Sequence, residues 1–69
     1  MENYSVNKIG AGRTKPIFFD NKEMAMDDAK RKSLKYGAEY SVLKGYKKEG
    51  DSSTYYMEWA RFLNGRRTK

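Results

Sequence analysis

The side chains that most often carry chemistry near neutral pH are missing from this sequence, which has neither histidine nor cysteine. Their absence removes the commonest general base, the commonest metal ligand, disulfide staples and thiolate metal sites. A zinc finger is excluded for the same reason. Ser5, Ser33, Ser41, Ser52 and Ser53 have no recognisable base-and-acid set, and no pair of carboxylates stands at a working spacing in an expected cleft. The stretch "GAGRTK" at 10–15 has glycines followed by a lysine. A phosphate-binding loop, however, needs G-x-x-x-x-G-K-[ST] opening a helix, and a dinucleotide fingerprint needs G-x-G-x-x-G between strand and helix. Here the segment runs through Pro16 into the strand-like Ile17-Phe18-Phe19, so it reads as a turn. Its Arg13 and Lys15 remain candidates for non-specific phosphate contact. A chain of 69 residues also has little room for a deep pocket. The expectation is a protein that is not an enzyme, with no metal, no cofactor and no small-molecule substrate.

What the residues do offer is charge and rings. Fifteen Lys and Arg against nine Asp and Glu give a formal +6 and a pI near 9.7, which favours an anionic partner. Lys30, Arg31, Lys32 and Lys35 form one cluster, read as a solvated helix face relieved by Asp27 and Asp28. Lys44, Lys47 and Lys48 form a second with Arg66, Arg67 and Lys69, and Arg61 joins them if it points the same way. That second group is the candidate anion-binding stripe along one sheet edge. The rings concentrate in "TYYMEWARFLNGRRTK" at 54–69. At period two, Tyr55, Met57, Trp59 and Leu63 fall on one side and Tyr56, Ala60 and Phe62 on the other. Both sides are therefore bulky, and pattern alone does not decide which is core.

The elements that must position these groups can be read in chain order. A weakly alternating strand over 4–9, a glycine-rich turn and the short apolar run 17–19 suggest a first hairpin. A helix is expected from about 21 to 36. Asp20 is its expected N-cap, with Glu23 completing a capping box. Ala25, Met26, Ala29, Ser33 and Tyr36 make the core-facing stripe. Asp27–Arg31 and Asp28–Lys32 are i,i+4 pairs, and Gly37 suits the left-handed residue past the end. A strand over 39–48, the polar loop "EGDSS" and a last strand make a second hairpin, and 64–69 reads as a frayed basic tail. The expected fold is α+β, a single two-layer ββαββ domain over 1–69: a four-stranded antiparallel sheet with one helix across one face. One helix cannot cover both faces of such a sheet. The rings of the uncovered face then meet nucleotide bases, a protein surface, or the chain's own termini and lysine stems.

The stretch "IFFDNKEMAMDDAKRKSLKYGAEYSVLKG" resembles a pattern in small ββαββ domains of bacteria and phages, through Phe19, Asp20, Lys22, Ala25, Ala29, Gly37 and Ala38. Some phage anti-CRISPR inhibitors look similar, being compact, cysteine-poor ββαββ proteins that dock on a nucleoprotein effector. The resemblance covers roughly the middle half of the chain and implies an accessory domain or an inhibitor that occludes a partner's surface. It transfers no functional residue.

The functional expectation is a small cytoplasmic binding protein for nucleic acid or a nucleoprotein complex. No span of about 20 apolar residues and no signal peptide is present, so no membrane association is expected. Its charged contacts would be Arg13, Lys15, Lys44, Lys47, Lys48, Arg61, Arg66 and Arg67, and its ring contacts Tyr46, Tyr56 and Phe62. The competing expectation is a protein–protein inhibitor or a homodimer docking through the open sheet face, with charge serving to steer encounter.

Overall fold

A computed structural model of the chain describes residues 3–10 and 16–69; the expected turn with Arg13 and Lys15 lies outside the described residues. The elements are β1 (Asn3–Lys8), β2 (Ile17–Phe19), α1 (Lys22–Tyr36), β3 (Tyr40–Lys47), β4 (Thr54–Leu63) and β5 (Arg66–Arg67). They build one antiparallel sheet in the order β2-β1-β3-β4-β5, with α1 across one face. The class is α+β as expected, but the sheet has five strands rather than four.

The fifth strand replaces the expected frayed tail. Asn64 and Gly65 both have positive φ, 51° and 77°. This is the two-residue turn that Asn-Gly adopts most readily, and its twist matches the flanking strands. The chain folds back so that Arg66 pairs with Leu63 and Arg67 with Phe62. Thr68 extends the contact, its N–H donating to the Arg61 carbonyl at 2.7 Å.

The helix follows its local signals with one displacement. Its N-cap is Asn21, not Asp20: the Asn21 side-chain oxygen accepts from the N–H groups of Glu23 and Met24 at 2.8 and 3.2 Å. Gly37 closes it at φ 62°, ψ 29°. Asp27–Arg31 and Asp28–Lys32 pair at 3.0 and 2.9 Å. Ala25, Ala29 and Ser33 are fully buried against the sheet, and their small size lets the helix backbone approach it closely. Tyr36 leaves the expected stripe and is 58 % exposed.

The two-faced last strand is resolved by a β-bulge. Val42 pairs with Ala60, but the next β3 residue, Leu43, pairs with Glu58, so Trp59 is an extra residue. A bulge of this kind shifts the side-chain parity of the strand that carries it. β3 alternates without a break, so Tyr40, Val42, Lys44 and Tyr46 share one side. Their partners Phe62, Ala60, Met57 and Tyr55 therefore share it too. Trp59 packs against the same core. The bulky residues of β4 thus fall mostly on one face, the helix face. Phe62, expected as a contact ring, is 5 % exposed within the core of Tyr4, Val6, Ala25, Ala29, Tyr40, Val42 and Ala60. Tyr56, Glu58, Arg61 and Leu63 remain on the other face, where no described element packs.

Candidate nucleic-acid interface

The long axis of the molecule is 40 Å, and its two ends differ in chemistry. At one end the β3–β4 hairpin runs past the start of α1. Lys22 and Lys44 hold their ammonium groups 5.1 and 5.4 Å from the centre of the Trp59 ring. Tyr46 and Tyr55, directly opposed across the strands, have ring centres 5.8 Å apart, and Lys48 lies 4.7 Å from the Tyr55 ring. The Tyr55 hydroxyl donates to the Asp51 carboxylate in the connecting loop. That bond raises the Tyr55 pKa and lowers that of Asp51. On the reverse face Tyr56 lies across Gly45, where a Cβ would come within 3.2 Å of its ring, and its hydroxyl accepts from the Asn3 amide at 3.5 Å.

The middle of the uncovered face is polar. The Glu58 carboxylate accepts from Ser41 Oγ at 2.6 Å and from the Arg61 Nε and a terminal nitrogen at 3.0 Å each, and it pairs with Lys69 Nζ at 2.9 Å. Arg61 also reaches Glu39 at 3.6 Å. The Arg61 guanidinium first, then Ser41 and Lys69, hold the Glu58 pKa at about 2. Two expected phosphate ligands, Arg61 and Lys69, are therefore already engaged by carboxylate.

At the other end the last turns of α1 meet the β4–β5 turn. Ser33 Oγ donates to the Lys30 carbonyl at 2.8 Å and accepts from the Gly65 N–H at 2.9 Å. A Cβ on Gly65 would come within 3.3 Å of the Leu34 side chain, so the helix end and the turn are in direct contact. Charge gathers here. Counting α1 from Asp27 onward with the neighbouring strand ends, there are nine cations: Lys8, Lys30, Arg31, Lys32, Lys35, Arg61, Arg66, Arg67 and Lys69. They face four acids, Asp27, Asp28, Glu39 and Glu58. The hairpin end has four of each, Lys22, Lys44, Lys47 and Lys48 against Asp20, Glu23, Glu49 and Asp51. Among the described residues the surplus of five cations thus belongs to one end.

The expected basic stripe is split by this geometry. Lys44, Lys47 and Lys48 stand at the neutral hairpin end; Lys47 pairs with Thr54, nine residues along β4 from the Leu63 that pairs with Arg66, roughly 30 Å at the rise of an extended strand. Sequence reading missed Lys30 and Lys35 as members of the site, because on the helix alone they look like a solvated face. The Asn-Gly pair was the signal that brings Arg66 and Arg67 beside that helix. Among the described residues there is no group of acids able to hold a metal ion, and no helix is long and apolar enough to cross a membrane.

No protein-family model, curated protein or solved structure matches this chain.

Proposed function

We propose that this chain is a non-enzymatic nucleic-acid-binding protein that seats phosphates on the basic end made by the second half of α1 and by β5. The observation that carries the reading is the segregation of charge: a surplus of five cations at one end against an even balance at the other. A chain that was basic only for solubility would have no reason to concentrate its surplus. Phosphate backbones reward such a concentration, because each neutralised phosphate releases condensed counterions. Arg66 and Arg67 suit the role, since they sit on a strand pinned to the helix through Gly65 and Ser33.

Fluorescence anisotropy with labelled DNA and RNA tests it. Affinity should fall steeply between about 50 and 200 mM salt. Arg66→Glu with Arg67→Glu should weaken binding roughly tenfold or more, and Lys47→Glu with Lys48→Glu at the hairpin end several-fold less. Equal losses from the two pairs, or no binding at low salt, would sink the reading.

A second reading rests on the hairpin end. Tyr46, Tyr56 and Met57 are exposed there without net charge, a composition that suits contact with a protein. In that reading the chain is an inhibitor or adaptor that meets a nucleoprotein complex, with the basic end steering encounter.

A further inference from the structure

The outer edge of β4 is covered over only half its length. β5 pairs with Phe62 and Leu63, and the Thr68 N–H reaches the Arg61 carbonyl. The Arg67 guanidinium then donates to the Trp59 carbonyl at 3.5 Å. From Thr54 to Glu58 no described strand pairs with this edge. A bond on the far side of the sheet shows which peptide groups face outward there. The Ile9 N–H donates to the Glu39 carbonyl at 2.9 Å, so alternation turns the peptide groups of Ser41, Leu43 and Gly45 toward β1 and those of Tyr40, Val42, Lys44 and Tyr46 toward β4. Their partners Phe62, Ala60, Met57 and Tyr55 turn inward to meet them. The N–H and C=O groups of Thr54, Tyr56 and Glu58 therefore point out of the sheet. The Arg61 carbonyl, bonded outward to Thr68, agrees with this phase beyond the bulge.

Sheets commonly guard such edges with proline, lysine, a bulge or an inward charge. The far half of β4 has its guards in the bulge, Arg67 and β5. Thr54–Glu58 has no proline or lysine, and the Glu58 charge is answered within the chain by Arg61 and Lys69. Its side chains are large and accessible, Tyr56 at 42 % and Met57 at 51 %. The opposite edge of the sheet, β2, is only three residues long and follows Pro16.

We infer that a second copy of this chain pairs with Thr54–Glu58, the two strands running antiparallel about a two-fold axis at Tyr56 and joining both sheets into one. The edge is complementary to itself. With Tyr56 opposite Tyr56, Thr54 meets Glu58 and every outward peptide group finds another, whereas a slip of one residue sets outward groups against inward ones. The two Tyr56 rings adjoin on the helix-free face, and Tyr55 stands beside Met57 of the other copy on the helix face. The pairing ends where β5 takes over the edge at Arg61. Charge agrees with it. The hairpin end has as many acids as cations, so two copies meet there without repulsion. Glu49 and Asp51 in the loop of one copy arrive level with Arg67 and Lys69 of the other. The basic ends lie at opposite extremes of the joined sheet. This inference stands apart from the nucleic-acid reading, and either can fail without the other.

Sedimentation velocity of the full, nucleic-acid-free chain from about 5 to 500 µM covers the range of a small transient interface and should show a reversible monomer–dimer equilibrium. Met57→Lys should weaken it roughly tenfold or more, since a lysine blunts an edge. Tyr56→Pro removes an N–H that only the second copy would use, so it should give a monomer that circular dichroism shows to be folded. Tyr56→Phe should dimerise as before. Because the sequence has no cysteine, Tyr56→Cys puts a single thiol at the axis, and mild oxidation should yield a disulfide-linked dimer. Phe18→Cys on β2 should not. A monomer at every concentration would overturn the inference and leave the edge to a strand from a different protein. A dimer indifferent to both Met57→Lys and Tyr56→Pro, or cross-linked through Phe18→Cys and not through Tyr56→Cys, would overturn it by placing the contact elsewhere.

Discussion

Glu58 shows how one side chain fixes the chemistry of a whole face. Its carboxylate gathers Arg61, Ser41 and Lys69 from β4, β3 and the segment after β5, and charged donors of this kind are worth more than neutral ones. Because its folded pKa is depressed to about 2, the stabilisation is present above the unfolded value of 4.5 and is lost as pH falls toward 2. Thermal unfolding followed from pH 7 to pH 2 should therefore show Tm falling below about pH 5. Glu58→Gln should lower Tm at neutral pH and flatten that fall; an unchanged profile would show that the network contributes nothing. Ser33 makes a comparable link at the opposite surface. Ser33→Ala leaves the Gly65 N–H without its partner in a part-buried place and should destabilise the fold by about 1–3 kcal/mol in urea titration. A loss confined to β5, seen as faster amide exchange at Arg67 and Thr68, would place the cost in the hairpin rather than in the core.

Among the elements, the helix was the most legible from sequence, because its signals are local. The i,i+4 pairs, the terminal glycine and the small-residue stripe each depend on residues within a turn or two of one another. Even the misplaced cap was displaced by a single position, since Asp20 and Asn21 are both good cap residues and only backbone geometry chooses between them. The sheet was less legible, and two features account for it. Parity along β4 depends on an inserted residue, and nothing in "YMEWARF" marks Trp59 rather than a neighbour as the extra one; the register with β3 decides. The Asn-Gly turn was visible in principle, yet the two residues after it are arginines, which carry none of the apolar alternation by which strands are recognised. For the site, residue types were readable but grouping was not, because pairing places Arg66 beside Leu63 and sets it far from Lys47. The turn can be tested directly. Gly65→Ala places a Cβ at positive φ and within 3.3 Å of Leu34, so it should cost about 1–3 kcal/mol. Asn64→Gly, which relaxes the first turn position, should be nearly neutral in the same unfolding measurement.

At the scale of the whole molecule, the uneven charge of the described residues makes a dipole with a cationic pole and an aromatic pole whose charges balance. Such a molecule should approach a polyanion in a preferred orientation, faster at low salt than a uniformly charged protein of equal net charge. A rearranged variant in which Arg66→Glu and Arg67→Glu are offset by Glu49→Lys and Asp51→Lys retains the net +6 and moves the surplus to the hairpin. If distribution rather than total charge matters, its association rate with DNA in stopped flow should drop by roughly tenfold. An unchanged rate would mean that net charge alone governs encounter.

The bulge at Trp59 has a bearing on how this chain can tolerate change. Because one surplus residue sets which way everything after it points, losing a residue at the bulge and gaining one beyond it have opposite consequences. Without Trp59, Glu58 and Ala60 would alternate directly, still opposite Leu43 and Val42, so Ala60 and Phe62 would keep facing the helix and only the Trp59 ring would be lost from the edge of the core. One residue added between Ala60 and Arg61, by contrast, would bring Arg61 in beneath the helix and turn Phe62 outward, exchanging an oily interior for a guanidinium.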